Sequence, residues 1–284
     1  MSNFSWTAFP VTEQIRITEM YSLFTSHRQN GYTFSGESHN FWECLCVLEG
    51  EVCVSADDRV YNMTAGEIIF HKPMELHKFS VNNENGVDLL IFSFFAEGSL
   101  LPFFRDKVFR LSEEQSIPLK SLLSYIEKKS GNPKFFPPNS GCLYPFVCLP
   151  GCSQMVTALL YQLFLSLADE GTETLASVSP DAVTFQKAVQ FLNSRLSGQP
   201  TVPEIARFCN VSEASLKRIF NRYAGISIHK YFLKLKIQAA AKLLQEGESA
   251  AAVSEKLGFS SQSYFTKVYK RELQTLPSQT AEHR

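Results

Sequence analysis

Residues 201–223 of the 284-residue chain read TVPEIARFCNVSEASLKRIFNRY, a pattern typical of two short helices separated by a tight turn. Thr201 is the predicted N-cap of the first helix, and Glu204 lies near the positive end of its dipole. Asn210 breaks that helix. Ser212 caps a second helix, whose apolar residues recur on one face and whose basic residues fall on the others. The stretch therefore predicts a helix-turn-helix unit.

A second unit of the same kind follows in residues 250–273, with a turn at Gly258 and a second helix that begins at Ser261. The second helices of the two units begin at Ser212 and Ser261, 49 residues apart, and a helix predicted over residues 227–245 joins the units. At about 1.5 Å per residue, that helix spans roughly 25–30 Å. Successive major-groove openings on one face of DNA are ~34 Å apart. One chain could thus contact two adjacent groove segments.

Charge is unevenly divided along the chain. Residues 179–284 contain 15 Lys and Arg against 8 Asp and Glu, whereas residues 1–178 contain 12 against 20. A basic C-terminal third predicts a polyanion partner for that third alone, and a basic helix after a tight turn is the arrangement that enters a major groove. A helical bundle with a solvated basic face is the alternative, since Lys and Arg are usually surface residues.

Other sequence features limit where the chain acts. No stretch reaches the ~18–20 apolar residues of a membrane-spanning helix, and residues 1–10 lack the basic start and apolar run of a signal peptide, so we expect a cytoplasmic protein with no membrane partner. The seven cysteines are odd in number and irregularly spaced, which favours reduced, buried thiols. A metal or redox role for Cys44 and Cys46 is the alternative.

The N-terminal part alternates apolar and polar residues. Residues 22–96 predict antiparallel strands of a small barrel or sandwich, broken by turn residues at 56–58, 65–67 and 82–86. Helical spacing follows over residues 112–128 and 153–168, and the Pro-rich segment 131–151 between them is assigned no regular structure. Residues 170–180 resemble a flexible link.

These patterns predict an α+β protein. An antiparallel β-barrel over residues 1–110 is followed by packed helices over 111–172, a linker over 173–180 and an all-α domain over 181–284 that holds two helix-turn-helix motifs joined by a linker helix.

Strand alternation places His39, Phe41 and Glu43 on the strand face that should point into the barrel. A histidine and a glutamate on an apolar face need partners. Either they pair with each other or they bind something.

Residues 201–277 resemble the DNA-binding domain of the AraC/XylS family. The segments that carry the resemblance are Ile205-Ala206, Val211-Ser212 with Leu216 and Phe220, Gly225, Ala240 with Leu243-Leu244, Val253-Ser254, Leu257-Gly258-Phe259, Ser263-Tyr264-Phe265 and Val268-Tyr269-Lys270. The resemblance implies contacts to base edges of double-stranded DNA from Ala214, Ser215, Lys217, Arg218, Gln262, Ser263, Thr266 and Lys267. The predicted phosphate contacts are Ser212, Arg222, Lys236, Lys242, Ser261, Lys270 and Arg271.

The sequence departs from the family pattern near its end. Gln274 replaces a usual glycine, Leu276 stands for a threonine, and residues 280–281 replace a Tyr-Arg ending, which predicts a frayed last helix. Lys236 stands where the family's linker helix has arginine, which predicts a weaker phosphate contact there.

His39, Glu43, Gly50, residues 65–67 and His77 resemble the cupin pattern, in which two histidines, a glutamate and a distal histidine hold a metal. Phe41 occupies the position of the second histidine. We therefore expect no cofactor, although His39, Glu43 and His77 are a possible metal set. A purely structural His–Glu pair is a further alternative.

Such barrels in AraC-type proteins are sensors, so the resemblance implies a small-molecule effector, such as a sugar. The predicted effector-binding residues are His39, Phe41, Glu43, His77 and His71. The resemblance also implies a homodimer through the helix at about 153–169, contact with RNA polymerase, and activation of transcription. The alternative is an enzyme, a metal-dependent cupin with a DNA-binding appendage, against which Phe41 argues.

Overall fold

The structure is a computed structural model that describes residues 8–130, 149–170, 172–174, 179–273 and 275–280. In these ranges the N-terminal strands form one eight-stranded sheet. They are β1 (Arg16–Arg28), β2 (Trp42–Ala56), β3 (Arg59–Thr64), β4 (Glu67–His71), β5 (His77–Ser80), β6 (Val87–Glu97), β7 (Val108–Arg110) and β8 (Thr172–Thr174).

The long strand β2 organises this sheet. Its first half pairs antiparallel with β4 and β6, and its second half pairs with β3 and β5. The order β1-β6-β2-β4-β7-β8 completes the sheet. The turns predicted at residues 56–58, 65–67 and 82–86 fall between consecutive strands, because each interrupts the alternation with residues that favour turns.

The two faces of β2 are both buried, against different partners. Leu45 and Val47 lie in the apolar interior between the strands. Trp42, Cys44 and Cys46 instead pack against helices outside the sheet. Burial raises the pKa of the Cys44 and Cys46 thiols, which favours the unreactive thiol form.

The covering helices are α1 (Glu113–Ser130) and α2 (Cys152–Glu170). Ser112 caps α1, as the sequence predicts, by accepting a hydrogen bond from Gln115 N–H at 3.2 Å. Leu163 and Leu167 of α2 are fully buried in the core beneath the helices, whereas Met155 is exposed. The predicted apolar face of α2 is thus partly an intradomain core.

The predicted linker contains more structure than its composition suggests. Residues 172–174 form β8, which pairs with β7. Most of the predicted irregular segment, residues 131–148, lies outside the described residues, as do residues 175–178, 274 and 281–284.

From residue 179 onward the described chain is helical. Its elements are α3 (Pro180–Asn193), α4 (Val202–Cys209), α5 (Glu213–Tyr223), α6 (Ile228–Gln245), α7 (Ala250–Lys256), α8 (Gln262–Leu273) and α9 (Pro277–Thr280). The predicted α+β architecture is confirmed. Within the described ranges, no helix is long and apolar enough to cross a membrane.

A contact between two hydroxyls joins the short last helix to α8. The hydroxyls of Tyr269 on α8 and Thr280 on α9 lie 2.8 Å apart. The frayed ending predicted from the sequence concerns residues that fall partly outside the described chain.

Candidate DNA interface and ligand site

The first helix-turn-helix unit consists of α4 and α5. Asn210 ends α4 in the left-handed conformation, at φ 62°, and Ser212 Oγ accepts from Ser215 N–H at 3.1 Å to start α5. Leu216 and Phe220 are fully buried. The opposite face of α5 is turned to solvent, and it carries the predicted base-contact residues Ala214, Ser215, Lys217 and Arg218.

The second unit, α7 and α8, repeats this arrangement. Gly258 makes the turn at φ 63°, where an added Cβ would lie 2.1 Å from the carbonyl oxygen of Ser197. Phe265 and Tyr269 are fully buried. The solvent-facing side of α8 carries the predicted base-contact residues Gln262, Ser263, Thr266 and Lys267.

The helix α6 joins the two units as a shared rod. Its N-terminal half, with Tyr231 and Leu235, packs in the core of the first unit. Its C-terminal half, with Ile237 and Leu244, packs in the core of the second. Its 18 residues span about 27 Å at 1.5 Å per residue. We call α5 and α8, which carry the predicted base-contact residues, the reading helices. Because both cores include α6, the two reading helices are held in a fixed position relative to each other.

Most predicted phosphate contacts are exposed, but Lys236 is an exception. The side chains of Arg222, Lys242 and Arg271 are 52%, 79% and 59% exposed. Lys236 is buried, and its Nζ donates to the carbonyls of Leu257 at 2.8 Å and Gly198 at 3.1 Å. Its ammonium is therefore engaged inside the domain, and the phosphate contact assigned to it by family position does not fit this placement. Ser212, Ser261 and Lys270 are exposed.

Two arginines of α5 pair with an acidic residue outside the first helix-turn-helix unit. Asp181 Oδ2 on α3 lies 3.6 Å from Arg218 Nη1 and 3.4 Å from Arg222 Nη1. Both arginines are more than half exposed, so these pairs are weak and exchangeable. A phosphate or a base edge could displace Asp181 at little cost.

In the N-terminal β-sheet domain, which we call the barrel, two carboxylates and two imidazoles lie close together. Glu43 Oε1 lies 3.3 Å from His77 Nε2, and Glu43 Oε2 lies 3.7 Å from His39 Nε2. Glu37 Oε1 lies 3.6 Å from His77 Nε2. One potential ligand atom from each of the four residues falls within 4.8 Å of every other. The structure thus brings together the predicted residues His39, Glu43 and His77.

The orientation of both imidazoles is set by backbone carbonyls. His39 Nδ1 lies 3.0 Å from the carbonyl oxygen of Phe41, and His77 Nδ1 lies 3.2 Å from that of Glu75. A carbonyl only accepts, so each Nδ1 carries the proton. The two Nε2 atoms are buried, and neither has a hydrogen-bond partner among the described residues. Each instead lies 3.3–3.7 Å from an oxygen of the Glu43 carboxylate.

The other predicted effector residues lie around this cluster. The Phe41 ring stacks on His39, with centroids 3.8 Å apart, and on Tyr21 at 4.2 Å. His71 is fully buried, its ring stacks on His77 at 4.3 Å, and its Nδ1 lies 2.6 Å from Glu75 Oε1. The ring of Phe41 therefore packs against His39, and the ring of His71 packs against His77.

The electrostatics of the cluster favour a positive charge at its centre. Burial alone would raise the pKa of Glu43, but the imidazoles of His39 and His77 hold it well below its usual value. Burial would lower the pKa of His77, but the carboxylates of Glu37 and Glu43 raise it to about 10. The two carboxylates therefore stabilise a positive charge on His77.

Glu37 is the residue of the cluster that the sequence did not predict. It precedes the strand and belongs to no periodic pattern, and a single antiparallel bridge to His77 brings it to the site. Its side chain is 47% exposed, so it forms the solvent-facing edge of the cluster.

The strand that carries His77 also contacts the first helix-turn-helix unit. Lys78 is buried, and its Nζ donates to the carbonyls of Asn221 and Arg222, both at 2.7 Å, at the C-terminal end of α5. Ser55 Oγ donates to the carbonyl of Tyr223 at the same end. A cation at a helix C-terminus also interacts favourably with the helix dipole.

Gly225 and Gln238 extend this interface. Gly225, at φ 68°, lies so close to the loop before β2 that an added Cβ would be 2.3 Å from the carbonyl oxygen of Ser35. Gln238 on α6 donates to the carbonyl of Met74 and lies 3.5 Å from Asp57 Oδ1. The barrel therefore contacts both α5 and the shared rod.

Comparison with known proteins assigns both halves of the chain. Residues 205–283 match the family model described as a helix-turn-helix domain, and residues 20–123 match the model of an AraC-like ligand binding domain. The HTH-type transcriptional activator RhaR of Mannheimia succiniciproducens is 21% identical over 272 residues, which cover 93% of this chain and 92% of the relative. An uncharacterised HTH-type transcriptional regulator of Haemophilus influenzae is 33% identical over 79 residues, 28% of this chain and 26% of its own.

Among solved structures, ToxT from Vibrio cholerae O395 is 12% identical and covers 92% of this chain and 96% of its own, with a TM-score of 0.38. The two domain matches and the exposed reading helices define a ligand-binding, DNA-binding regulator of transcription. The chain thus carries a region similar to the AraC-like ligand binding domain, followed by a helix-turn-helix domain.

Proposed function

We propose that this regulator binds two adjacent major-groove segments with α5 and α8 and changes its action when a ligand occupies the cluster of Glu37, His39, Glu43 and His77. The observation that carries the DNA half of the proposal is the sharing of α6 by both helix-turn-helix cores. A shared rod fixes the spacing of the two reading helices, which is what binding to one DNA face requires.

The contacts of β5 support a route from the ligand to the DNA. His77 belongs to the cluster, and the next residue, Lys78, holds the end of α5. A ligand that repositions His77 or Glu37 would therefore shift the balance between arrangements in which the barrel holds α5 and arrangements in which it releases α5.

The proposal includes several finer assignments that follow from the family. We infer that the chain acts in the cytoplasm as an activator and not as an enzyme, that it contacts RNA polymerase, and that it pairs as a homodimer. The exposed side chains of Met155 and Leu165 on α2 are compatible with a dimer contact there. We further infer a role in carbohydrate or related small-molecule metabolism, with an effector that carries hydroxyl or carboxylate oxygens.

Selection of binding sequences from random DNA with the purified full-length chain tests the DNA half. The expected result is a motif of two parts whose centres are about 10 bp apart, because each reading helix contacts one groove opening. Enrichment of a single part, or of no sequence, would contradict it.

Thermal unfolding with a panel of neutral and acidic monosaccharides tests the ligand half. A sugar at about 100 times its Kd should add about 2.7 kcal/mol to the free energy of unfolding. Glu43→Ala should remove this shift and leave DNA affinity within about twofold. Glu49→Ala, at an exposed position of the same strand, is the control and should keep the shift. Loss of folding in Glu43→Ala would favour a purely structural pair.

A further inference from the structure

We propose that Glu37, His39, Glu43 and His77 form a binding site for one divalent transition metal ion, of which Zn²⁺ is the representative. This inference deepens the proposed function, since it names a chemical class of ligand for the same cluster. The metal would be bound by the two imidazole Nε2 atoms and by carboxylate oxygens of the two glutamates.

The first argument is the tautomer of the two histidines. Each donates Nδ1–H to a backbone carbonyl, which leaves Nε2 with a lone pair if the ring is neutral. The two buried Nε2 atoms face carboxylate oxygens at 3.3–3.7 Å, which calls for a positive charge there, either a proton on the ring or a metal ion. A histidine whose other nitrogen donates to a carbonyl is the usual form of a metal ligand.

The second argument separates a metal from a proton. A protonated imidazole that donates to a carboxylate forms a short hydrogen bond, of about 2.7–2.9 Å. The distances from His39 and His77 to Glu43 are 3.7 and 3.3 Å, and neither Nε2 is in hydrogen-bond geometry with any described residue. Two ligands that each lie about 2.1 Å from a tetrahedral zinc ion are about 3.4 Å apart. The separations of 3.3, 3.6 and 3.7 Å are closer to this value than to that of a charged hydrogen bond, in a set of four ligand atoms that lie within 4.8 Å of one another.

The third argument is the rigidity of the frame. Phe41 stacks flat on His39 at an interplanar angle of 9°, and His71 stacks on His77 at 14°. Glu75, whose carbonyl orients His77, is itself held by His71. Phe41, which stands where cupins have a second metal-binding histidine, thus holds the ring of His39 in place. Glu37 supplies a carboxylate oxygen from a different segment.

The chain offers a matched control for the test. His27 and Asp88 form a second histidine–carboxylate pair, at 2.9 Å, but on the surface, with both side chains more than 40% exposed. His27→Gln therefore removes a comparable pair without touching the cluster.

The test is metal binding by the full-length protein after dialysis against a chelator. Titration with Co²⁺ should develop visible ligand-field absorption that saturates at one equivalent, and Zn²⁺ should displace it. His77→Gln and Glu43→Gln should each weaken Zn²⁺ binding by at least about 100-fold, since loss of a mere supporting partner costs 10–100-fold. Glu37→Gln should have a smaller effect because its carboxylate is half exposed. His27→Gln should bind as the wild type does.

Fewer than a tenth of an equivalent bound by the wild type, or unchanged binding in both His77→Gln and Glu43→Gln, would overturn the inference. The Co²⁺ spectrum of the wild type decides the question even if a variant fails to fold, which circular dichroism reveals. Absence of metal binding together with a sugar response and a two-part DNA motif would overturn the metal site alone. Metal binding without any sequence-selective DNA binding would instead overturn the proposed function alone.

Discussion

His77 and Lys78 are adjacent on β5, yet they serve two different sites. His77 Nε2 lies 3.3 Å from the Glu43 carboxylate in the barrel cluster, and Lys78 Nζ lies 2.7 Å from two carbonyls at the end of α5. Successive side chains of a strand point to opposite faces, so one strand can carry both contacts. The residue in the proposed ligand cluster and the residue that contacts the end of α5 are therefore neighbours in the sequence.

Replacement of Lys78 by methionine should lower the free energy of unfolding by about 1.5–3 kcal/mol. The substitution keeps the apolar stem but removes two charged hydrogen bonds to carbonyls at the C-terminal end of α5. Urea unfolding measures the loss. Lys242→Met is the control, because that side chain is 79% exposed and lies 3.9 Å from Glu246 in an exposed ion pair. Its change should stay below about 1 kcal/mol. Equal losses in both variants would argue against a structural tie at Lys78.

Local signals explain which parts of this molecule could be predicted. The helix-turn-helix units follow from caps such as Ser212, from the break at Asn210 and from helical spacing, all of which lie within a few residues of the structure they determine. Glu37 and β8 depend on pairing with distant segments, for which an isolated sequence carries no periodic signal. The position of Lys236 follows a family pattern, but its burial depends on the two loops that close over it.

Arg218→Ala and Lys270→Ala should weaken DNA binding in different ways. We propose that Arg218 donates to a base edge, so its loss should relax the preference at one base step at a cost of about 1–3 kcal/mol. We propose that Lys270 contacts a phosphate, so its loss should weaken binding to all sequences alike and reduce the slope of affinity against salt by about 1. Selection from random DNA and salt titrations measure both effects. An unchanged preference in Arg218→Ala would contradict its assignment.

Asp181→Asn should strengthen DNA binding. Its carboxylate pairs with Arg218 and Arg222 at 3.6 and 3.4 Å, and each exposed pair contributes at most about 1 kcal/mol. Their removal should therefore lower the Kd for DNA about two- to fivefold at low salt, with a smaller difference at high salt. Fluorescence anisotropy checks this. Glu246→Gln, which frees Lys242 away from α5, should have less effect. Weaker binding by Asp181→Asn would show that Asp181 positions the arginines instead of withholding them.

Asp57 should make stability depend on pH at the interdomain contact. Burial, and then the charge of Glu75, raise its pKa to about 6 against the opposing charge of Lys72. The unfolded value is about 3.9, so the folded state binds the proton more tightly, and the contribution of Asp57 to stability falls as pH rises from about 4 to about 6. The Asp57→Asn variant has no carboxyl group at this position, so it does not lose stability in this way as the pH rises.

Relative to the wild type, Asp57→Asn should therefore gain up to about 3 kcal/mol between pH 4 and pH 7. Urea unfolding at both pH values measures this double difference, in which the other titrating groups cancel. Asp58→Asn, at the next position of the turn, is the control and should change less. A constant difference for Asp57→Asn would mean that Asp57 stays ionised throughout, paired with Lys72.

Gly225→Ala should loosen the barrel from the first helix-turn-helix unit. Gly225 lies at φ 68°, where an L residue costs about 1–2 kcal/mol. In addition, the new Cβ would lie 2.3 Å from the carbonyl oxygen of Ser35, so the end of α5 and the loop before β2 must separate. We expect a lower free energy of unfolding and faster amide hydrogen exchange at β5, whose Lys78 loses its partners.

Gly258→Ala separates backbone strain from loss of the interface. Gly258 has a similar φ of 63°, and its added Cβ would also meet a carbonyl oxygen, that of Ser197, at 2.1 Å. That contact lies wholly within the DNA-binding domain, so Gly258→Ala should lose stability while exchange at β5 stays as in the wild type. If both variants accelerated exchange at β5 equally, the effect would reflect general destabilisation, and the contact between Ser35 and Gly225 would not hold the domains together.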